Sequence, residues 1–283
     1  MRFAEVMHQN YHMQGFTTDG EAVYWSFTDS LVKTNLSSTV LGQVPVKTGH
    51  LGDITYYNGR IYGTVMGNNL RGKPWGEWTG FYVNVYDSGS LSLIDVLRLD
   101  DCYFMYEERT DGFRGIDGIT VLPLEDGEAH LMIACSTWSE ERYDRQIILE
   151  YTLDGRLVDK HFVKTGNTMF GIQNLSRDSE TGEYWFSTYG AEIDFQRRMT
   201  LYRVSADFEL LGEYDFFTAY GFEPLGGGRF LASLEAGVNG NRRGHAYEVT
   251  EEFIEKISEK HMPEWNEKTV KIPWFDIPEL VIN

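Results

Sequence analysis

Three acids, two amides and two histidines in this 283-residue chain fall at related places in a repeating pattern. Gln14, Asp117, Gln173 and Glu223 each stand third in a segment of the form His or Gly, apolar, polar, any residue, apolar. The segments are His12-Met13-Gln14-Gly15-Phe16, Gly115-Ile116-Asp117-Gly118-Ile119, Gly171-Ile172-Gln173-Asn174-Leu175 and Gly221-Phe222-Glu223-Pro224-Leu225. A fifth, His50-Leu51-Gly52-Asp53-Ile54, has Gly52 in that place and Asp53 beside it, as if a bulge slips the register by one. Carboxylates crowded into one narrow space cannot all stay ionised unaided. A hard cation with oxygen ligands relieves them, and Ca²⁺ accepts mixed carboxylate, amide and water ligation. Zn²⁺ would require His12 and His50 both to turn inward. The competing reading is a polar, water-filled channel whose groups are satisfied by solvent and backbone donors. His12 and His50 open equivalent segments close to Asp53, and a His with a carboxylate partner is the usual general base near neutral pH. His12, His50 and Asp53 are therefore the candidate catalytic set. The alternative is that the two histidines cap strands and bond backbone.

Such residues converge only if the segments carrying them form a ring. Each segment is followed, after a turn rich in Gly, Asp and Asn, by an apolar strand ending near a small residue: Ser26, Thr64, Ala134, Ser187 or Ser233. Third and fourth strands follow in most units. Five repeats of four antiparallel strands predict an all-β fold, a five-bladed β-propeller around a central channel. A β-sandwich is the competing architecture, but it gives no reason for a repeated hub position. The blades are expected at roughly 8–48, 49–100, 113–164, 168–217 and 219–258 of one domain, 1–283. The N-terminal strand Phe3 to Met7 closes the ring in this scheme, and 259–283 form a surface tail. Phe253 to Ile257 reads equally as helix or strand.

The loops between second and third strands open on one face of the ring, and long loops on a rigid scaffold are the usual place for substrate contacts. They supply Trp75, Trp138, Arg142, Tyr189 and Arg242 as candidate substrate-binding residues, suited to a small, polar, sugar-like ligand. The alternative for each tryptophan is packing within its own loop. A net charge of −18 disfavours nucleic acid, whose phosphates need a basic face. No apolar run is long enough to span a bilayer, and the N-terminus lacks the pattern of a signal peptide, so the chain reads as cytoplasmic. Phosphate-cradling Gly-rich loops, a Gly-x-Ser-x-Gly elbow and Cys/His metal spacing are absent.

The stretch Gly115-Ile116-Asp117-Gly118-Ile119-Thr120-Val121 resembles inner strands of the gluconolactonase and paraoxonase group, six-bladed propellers with Ca²⁺ in the hub. That resemblance implies Asp117, Glu223 and Asn174 as calcium ligands. Gly52-Asp53-Ile54-Thr55-Tyr56-Tyr57-Asn58-Gly59 is similar in style to repeats of the five-bladed calcium apyrases. The combined expectation is a metal-assisted hydrolase of a small polar substrate, such as a sugar-derived lactone or ester. Ca²⁺ is held by Asp117, Glu223, Gln14, Gln173 and Asn174, with His12 or His50 moving the proton. A glycosidase or lyase using paired carboxylates and a non-enzymatic binding propeller are the alternatives.

Overall fold

The computed structural model describes residues 2–47, 49–67, 77–138, 140, 142–168, 170–190, 200–236 and 241–265. Trp75 and the tail beyond residue 265 lie outside them. The strands form five four-stranded antiparallel sheets. Blade one is β2 (Met13–Thr18), β3 (Ala22–Phe27), β4 (Ser30–Asn35) and β5 (Val40–Pro45). Blade two is β6 (His50–Tyr57), β7 (Arg60–Gly67), β8 (Gly80–Asp87) and β9 (Leu93–Arg98). Blade three is β10 (Phe113–Pro123), β11 (Ala129–Thr137), β12 (Gln146–Thr152) and β13 (Leu157–Val163). Blade four is β14 (Ile172–Arg177), β15 (Tyr184–Thr188), β16 (Leu201–Val204) and β17 (Leu210–Tyr214). Blade five is β18 (Phe222–Gly226), β19 (Arg229–Ala236) and β20 (Arg242–Thr250), with β1 (Arg2–Gln9) as its outermost strand.

The innermost strands touch in closed succession, β2 to β6 to β10 to β14 to β18 and back to β2. This is the five-bladed β-propeller that the repeats imply. The hairpins follow from local chemistry. In blade two, Asn58 (φ 48°) and Gly59 (φ 77°) both adopt the left-handed backbone that a tight two-residue turn between twisted strands demands. A lone four-stranded sheet cannot bury both faces, so each blade completes its core on its neighbours. Five apolar clusters result, one at each interface. That between blades five and one gathers Ala4, Val6, Met13, Phe16, Trp25 and Leu231. That between blades four and five is built on Trp185, Phe222 and Phe230.

Two helices depart from the repeat. α1 (Asp100–Glu108) lies between blades two and three and buries Cys102 and Met105. α2 (Glu251–Trp265) contains Phe253 to Ile257, so the segment that reads equally as helix or strand is helical. Among the described residues no helix is long and apolar enough to cross a membrane.

Because β1 completes blade five and Val6 is 1% exposed, Val6→Asp would bury an unpaired charge. It is expected to destabilise the protein by about 3–5 kcal/mol in denaturant unfolding. An unchanged midpoint would mean that the ring closes without β1.

Candidate active site at the channel mouth

Register decides which side chains meet at the axis. Four innermost strands carry an irregularity at the same place: between Met13 and Gly15, Leu51 and Ile54, Ile116 and Ile119, and Ile172 and Asn174. Blade five has none there. Glu223 pairs with Leu231 and Phe222 with Ala232, and Gly221 accepts from Ser233 N. The bulges bring Asp53 level with Gly15, Gly118, Asn174 and Gly221. Without a bulge, Glu223 falls two pairs deeper than Asp53, level with Thr17, Thr55, Thr120 and Ser176. Glu223 therefore does not share a level with Asp117 and Gln173, and Thr17 Oγ1 donates to its Oε1 at 3.3 Å.

Asp53 occupies the axis. Its Oδ2 accepts the backbone N–H of Ile119 in blade three (3.2 Å) and of Leu175 in blade four (3.1 Å). A Cβ on Gly15 of blade one would stand 2.1 Å from Asp53 Oδ1, so that position has room for hydrogen alone. Burial raises the Asp53 carboxyl well above its ordinary range, against the lowering effect of the backbone donors, and Glu223 adds to the rise. Asp53 is thus buried and tied to backbone.

Asp117 lies nearer the mouth, in the bulge of β10. Gln173 Nε2 approaches its Oδ2 at 3.4 Å, His50 Nε2 lies 3.9 Å from its Oδ1, and Thr64 Oγ1 donates to its carbonyl at 2.5 Å. A Cβ on Gly52 would meet Asp117 Oδ1 at 3.0 Å, so blade two's missing side chain makes room for blade three's acid. Burial pushes Asp117 up to about 8, despite the Gln173 bond and the Arg114 charge, and pushes Glu223 up to about 8. His50 is driven down to about 4, first by burial and then by His12. At neutral pH Asp117 keeps its proton and His50 is uncharged.

The other side of the mouth is built on Glu235 in β19. Its carboxylate takes the backbone N–H of Met13 (2.6 Å), His12 Nδ1 (3.0 Å) and Arg242 Nη1. The His12 ring stacks on Tyr220 at 5.5 Å. The Glu235 side chain is 4% exposed and that of His12 40%, so the acid is hidden and the histidine meets solvent. Arg242 Nη1 also lies 3.3 Å from Nδ1, but it donates to Glu235 Oε1. Because the carboxylate can only accept, its bond to His12 assigns the ring hydrogen to Nδ1 and leaves Nε2 without one. Tyr189 stands between the two halves. Burial raises its hydroxyl well above the usual range, with contributions from Tyr220, Asp117 and Glu235.

Of the remaining sequence candidates, Trp138 lies beside Arg114, whose guanidinium carbon is 5.0 Å from its ring. Arg142 is exposed and paired with Glu140 at 2.7 Å. Glu235, Arg114 and Tyr220 were not anticipated. Glu235 and Tyr189 each follow the small residue of their second strand by two places, as Thr28 does in blade one, where it accepts from Gln14 Nε2. The same offset would have singled out Glu235. A cavity of about 350 Å³ lined by Glu150, His161, Arg177 and Phe208 lies elsewhere, between blades three and four.

The donor set bears on the expected calcium. Gln173 directs its nitrogen at Asp117 and at the Phe170 carbonyl, and Asn174 Nδ2 donates to the Gln14 carbonyl at 2.6 Å. Asn174 Oδ1 is buried without a hydrogen-bond partner, one oxygen where Ca²⁺ takes about six to eight. Among the described residues no group of three His, Cys, Asp or Glu could hold a metal ion. As arranged, these side chains do not fit a resident Ca²⁺.

No family model and no curated protein matches the chain. Several solved structures align with much of the chain at low identity. One is a putative exo-β-1,3-galactanase from Bifidobacterium bifidum, at 11% identity and TM-score 0.49, covering 88% of this chain and 93% of that one. Another is the calcium-binding protein regucalcin from Agrobacterium tumefaciens, at 13% and 0.44, covering 83% and 75%. A third is a PQQ-bound aldose sugar dehydrogenase from Streptomyces coelicolor, at 11% and 0.46, covering 88% and 97%. Likeness at this level carries nothing about substrate.

Two outcomes follow from the hub. Asp53→Ala removes the acceptor of two buried N–H groups and is expected to cost about 2–6 kcal/mol of stability. Asp53→Asn, which keeps an acceptor oxygen, should cost much less, and equal losses would rule out this role. The second concerns pH. Asp117 and Glu223 are raised from ordinary values of 3.8 and 4.5 to about 8, so the folded protein binds more protons than the unfolded chain in that window. Their stabilisation is complete at acid pH and is lost as pH rises through 8. His50 opposes this only below its ordinary 6.5. The thermal midpoint should therefore fall between pH 6.5 and 8, and less steeply in Asp117→Asn.

Proposed function

We propose that the channel mouth is the active site of a hydrolase for a small polar substrate of the sugar-derived lactone or ester class. The observation that carries this reading is the buried Glu235 carboxylate holding His12 Nδ1 at 3.0 Å while the ring stays open to solvent. A histidine so oriented presents Nε2 as a general base.

In the proposed reaction a water attacks the substrate carbonyl as its proton passes to His12 Nε2. The tetrahedral intermediate then expels the ester or ring oxygen, which takes a proton from Asp117. Burial leaves Asp117 protonated at neutral pH, as a general acid must be. The products are a carboxylic acid and an alcohol, and the proton on His12 returns through water to Asp117. Tyr220, buried beneath His12, supports its ring, and the half-buried Tyr189 supplies aromatic surface of the kind that packs against sugar rings.

A calcium-assisted form of the same hydrolysis is the second reading, and it requires Gln173 and Asn174 to leave the bonds they make here and turn their oxygens toward the ion. It draws on the surplus of buried carboxyls, Asp53, Asp117 and Glu223, that burial holds neutral. Turnover of a panel of aldonolactones and aryl esters tests both. His12→Gln is expected to lower kcat/KM by about 10²–10⁴-fold, and Asp117→Asn to remove the limb of the kcat profile near pH 8. Activity that resists EDTA fits the metal-free form, and activity lost to EDTA and restored by Ca²⁺ fits the other. Unchanged turnover in His12→Gln would sink the assignment.

A further inference from the structure

The cavity between blades three and four lies away from the channel mouth and is lined by two unlike charges without ion-pair partners. Arg177, half-buried at the end of β14, forms one side, and Asp207, in the turn between β16 and β17, stands at the exposed rim. Among the described residues no ion pair joins Arg177 to an acid or Asp207 to a base, and the two do not pair with each other. The Arg177 guanidinium lies against a neutral group, the Tyr184 hydroxyl, and its Nε is buried without a hydrogen-bond partner. A charge partly withdrawn from water is stabilised by a partner of opposite sign. With 43 acids to 25 bases in the chain, the lack of one at Arg177 is not for want of acids.

The wall is held in shape by its own contacts. Glu150 lines the same cavity, but its Oε1 accepts from His130 Nδ1 at 2.5 Å and its Oε2 from His161 Nε2 at 2.8 Å. The His161 ring stacks on Phe208 at 4.1 Å, and Phe208 on Tyr184 at 5.2 Å. Phe208 is left-handed (φ 63°) without being glycine, a costly conformation that persists where the surroundings impose it. Here Ser205 imposes it. Its carbonyl accepts from Phe208 N at 3.1 Å, and its hydroxyl accepts from Asp207 N at 3.2 Å and Glu209 N at 3.0 Å. The turn thus keeps Phe208 in the wall and Asp207 at the rim. With Leu122 and Ala206 as further apolar lining, the space is about 350 Å³, within the range of small-molecule sites.

We propose that this cavity binds an apolar α-amino acid as its zwitterion, with the carboxylate toward Arg177, the ammonium toward Asp207 and the side chain against Leu122 and Phe208. The class of ligand follows from the two charges. A carboxylate supplies Arg177 with the charge-assisted bond that the Tyr184 hydroxyl does not. An anion lacking a cationic group would face Asp207 and Glu150 unrelieved, and a neutral sugar would leave both unpaired charges as they are. A zwitterion answers both and brings no net charge to a protein of −18. The half-buried arginine carries most of the preference, since a pair at the exposed Asp207 is weakened by water. The site is separate from the mouth and does not depend on the hydrolase reading.

Equilibrium binding to the full chain, read by calorimetry, tests this without turnover. The probes are leucine, N-acetylleucine, leucinamide, glycine and inorganic phosphate. Leucine should bind at least about tenfold more tightly than leucinamide, the scale of one charge-assisted pair, and a few-fold more tightly than N-acetylleucine. Glycine, with no side chain to bury, should bind more weakly than leucine. Arg177→Gln should abolish the preference over leucinamide, Asp207→Asn that over N-acetylleucine, and His12→Gln should change neither. Thermal melts show whether each variant is folded, and the exposed Asp207 variant serves if Arg177→Gln is not. Binding of no probe, equal binding of leucine and leucinamide, tighter binding of phosphate, or preferences that survive both substitutions would overturn the proposal. Leucine binding that is lost in a folded His12→Gln would put the ligand at the mouth and overturn it as well.

Discussion

The ring depends on how the innermost strands satisfy their inward edges. Each is the last strand of its sheet on that side, so its axial N–H and C=O groups have no neighbouring strand to pair with. Asp53 supplies much of the remedy. One oxygen of a blade-two side chain accepts N–H groups from blades three and four. Asn174 returns a bond from blade four to the Gln14 carbonyl of blade one, and Thr64 one from blade two to the Asp117 carbonyl of blade three. Side chains thus replace the missing strand, and each ties its own blade to another.

The close approach this needs is why glycines surround the acids. A Cβ at Gly15 would collide with Asp53, and one at Gly118 would stand 2.8 Å from Leu175 N, one of the donors Asp53 holds. The bulges serve the same geometry, since an extra residue turns a side chain that would face a neighbouring sheet toward the axis. Blade five lacks the bulge, and its acid sits deeper. At the mouth its second strand delivers Glu235 beside His12, at the same offset that carries Thr28 and Tyr189 in blades one and four.

The sequence discloses the repeat because strand alternation, turn chemistry and small residues recur together, and each has a local physical cause. From this the blade count, the hub position of Asp117 and the bulge beside Asp53 are legible. Register in blade five is not. Gly221-Phe222-Glu223 matches the other segments residue for residue, and whether a bulge forms there depends on packing against Thr17 and Leu231, which no local pattern records. α1 was missed for a related reason. Nine residues with Cys102 and Met105 as the buried pair give too short an apolar period to announce a helix. For Glu235 the sequence holds only the offset from Ser233, since its partner His12 lies 223 residues away.

Asp53 and Asp117 show how one residue type acquires two roles within a few ångströms. Burial raises both. The bonds recorded for the Asp53 carboxylate come from main-chain N–H groups of β-strands, whose positions are fixed by sheets that extend to the rim. Changing its protonation would disturb three blades at once. The partners of the Asp117 carboxyl are side chains, Gln173, His50 and the charge of Arg114, which can shift when a ligand or a proton arrives. A group that must give up a proton and regain it needs partners of the second kind. The acid best suited to chemistry is therefore the one held by side chains near the mouth, and the acid that centres the ring is suited to holding it together.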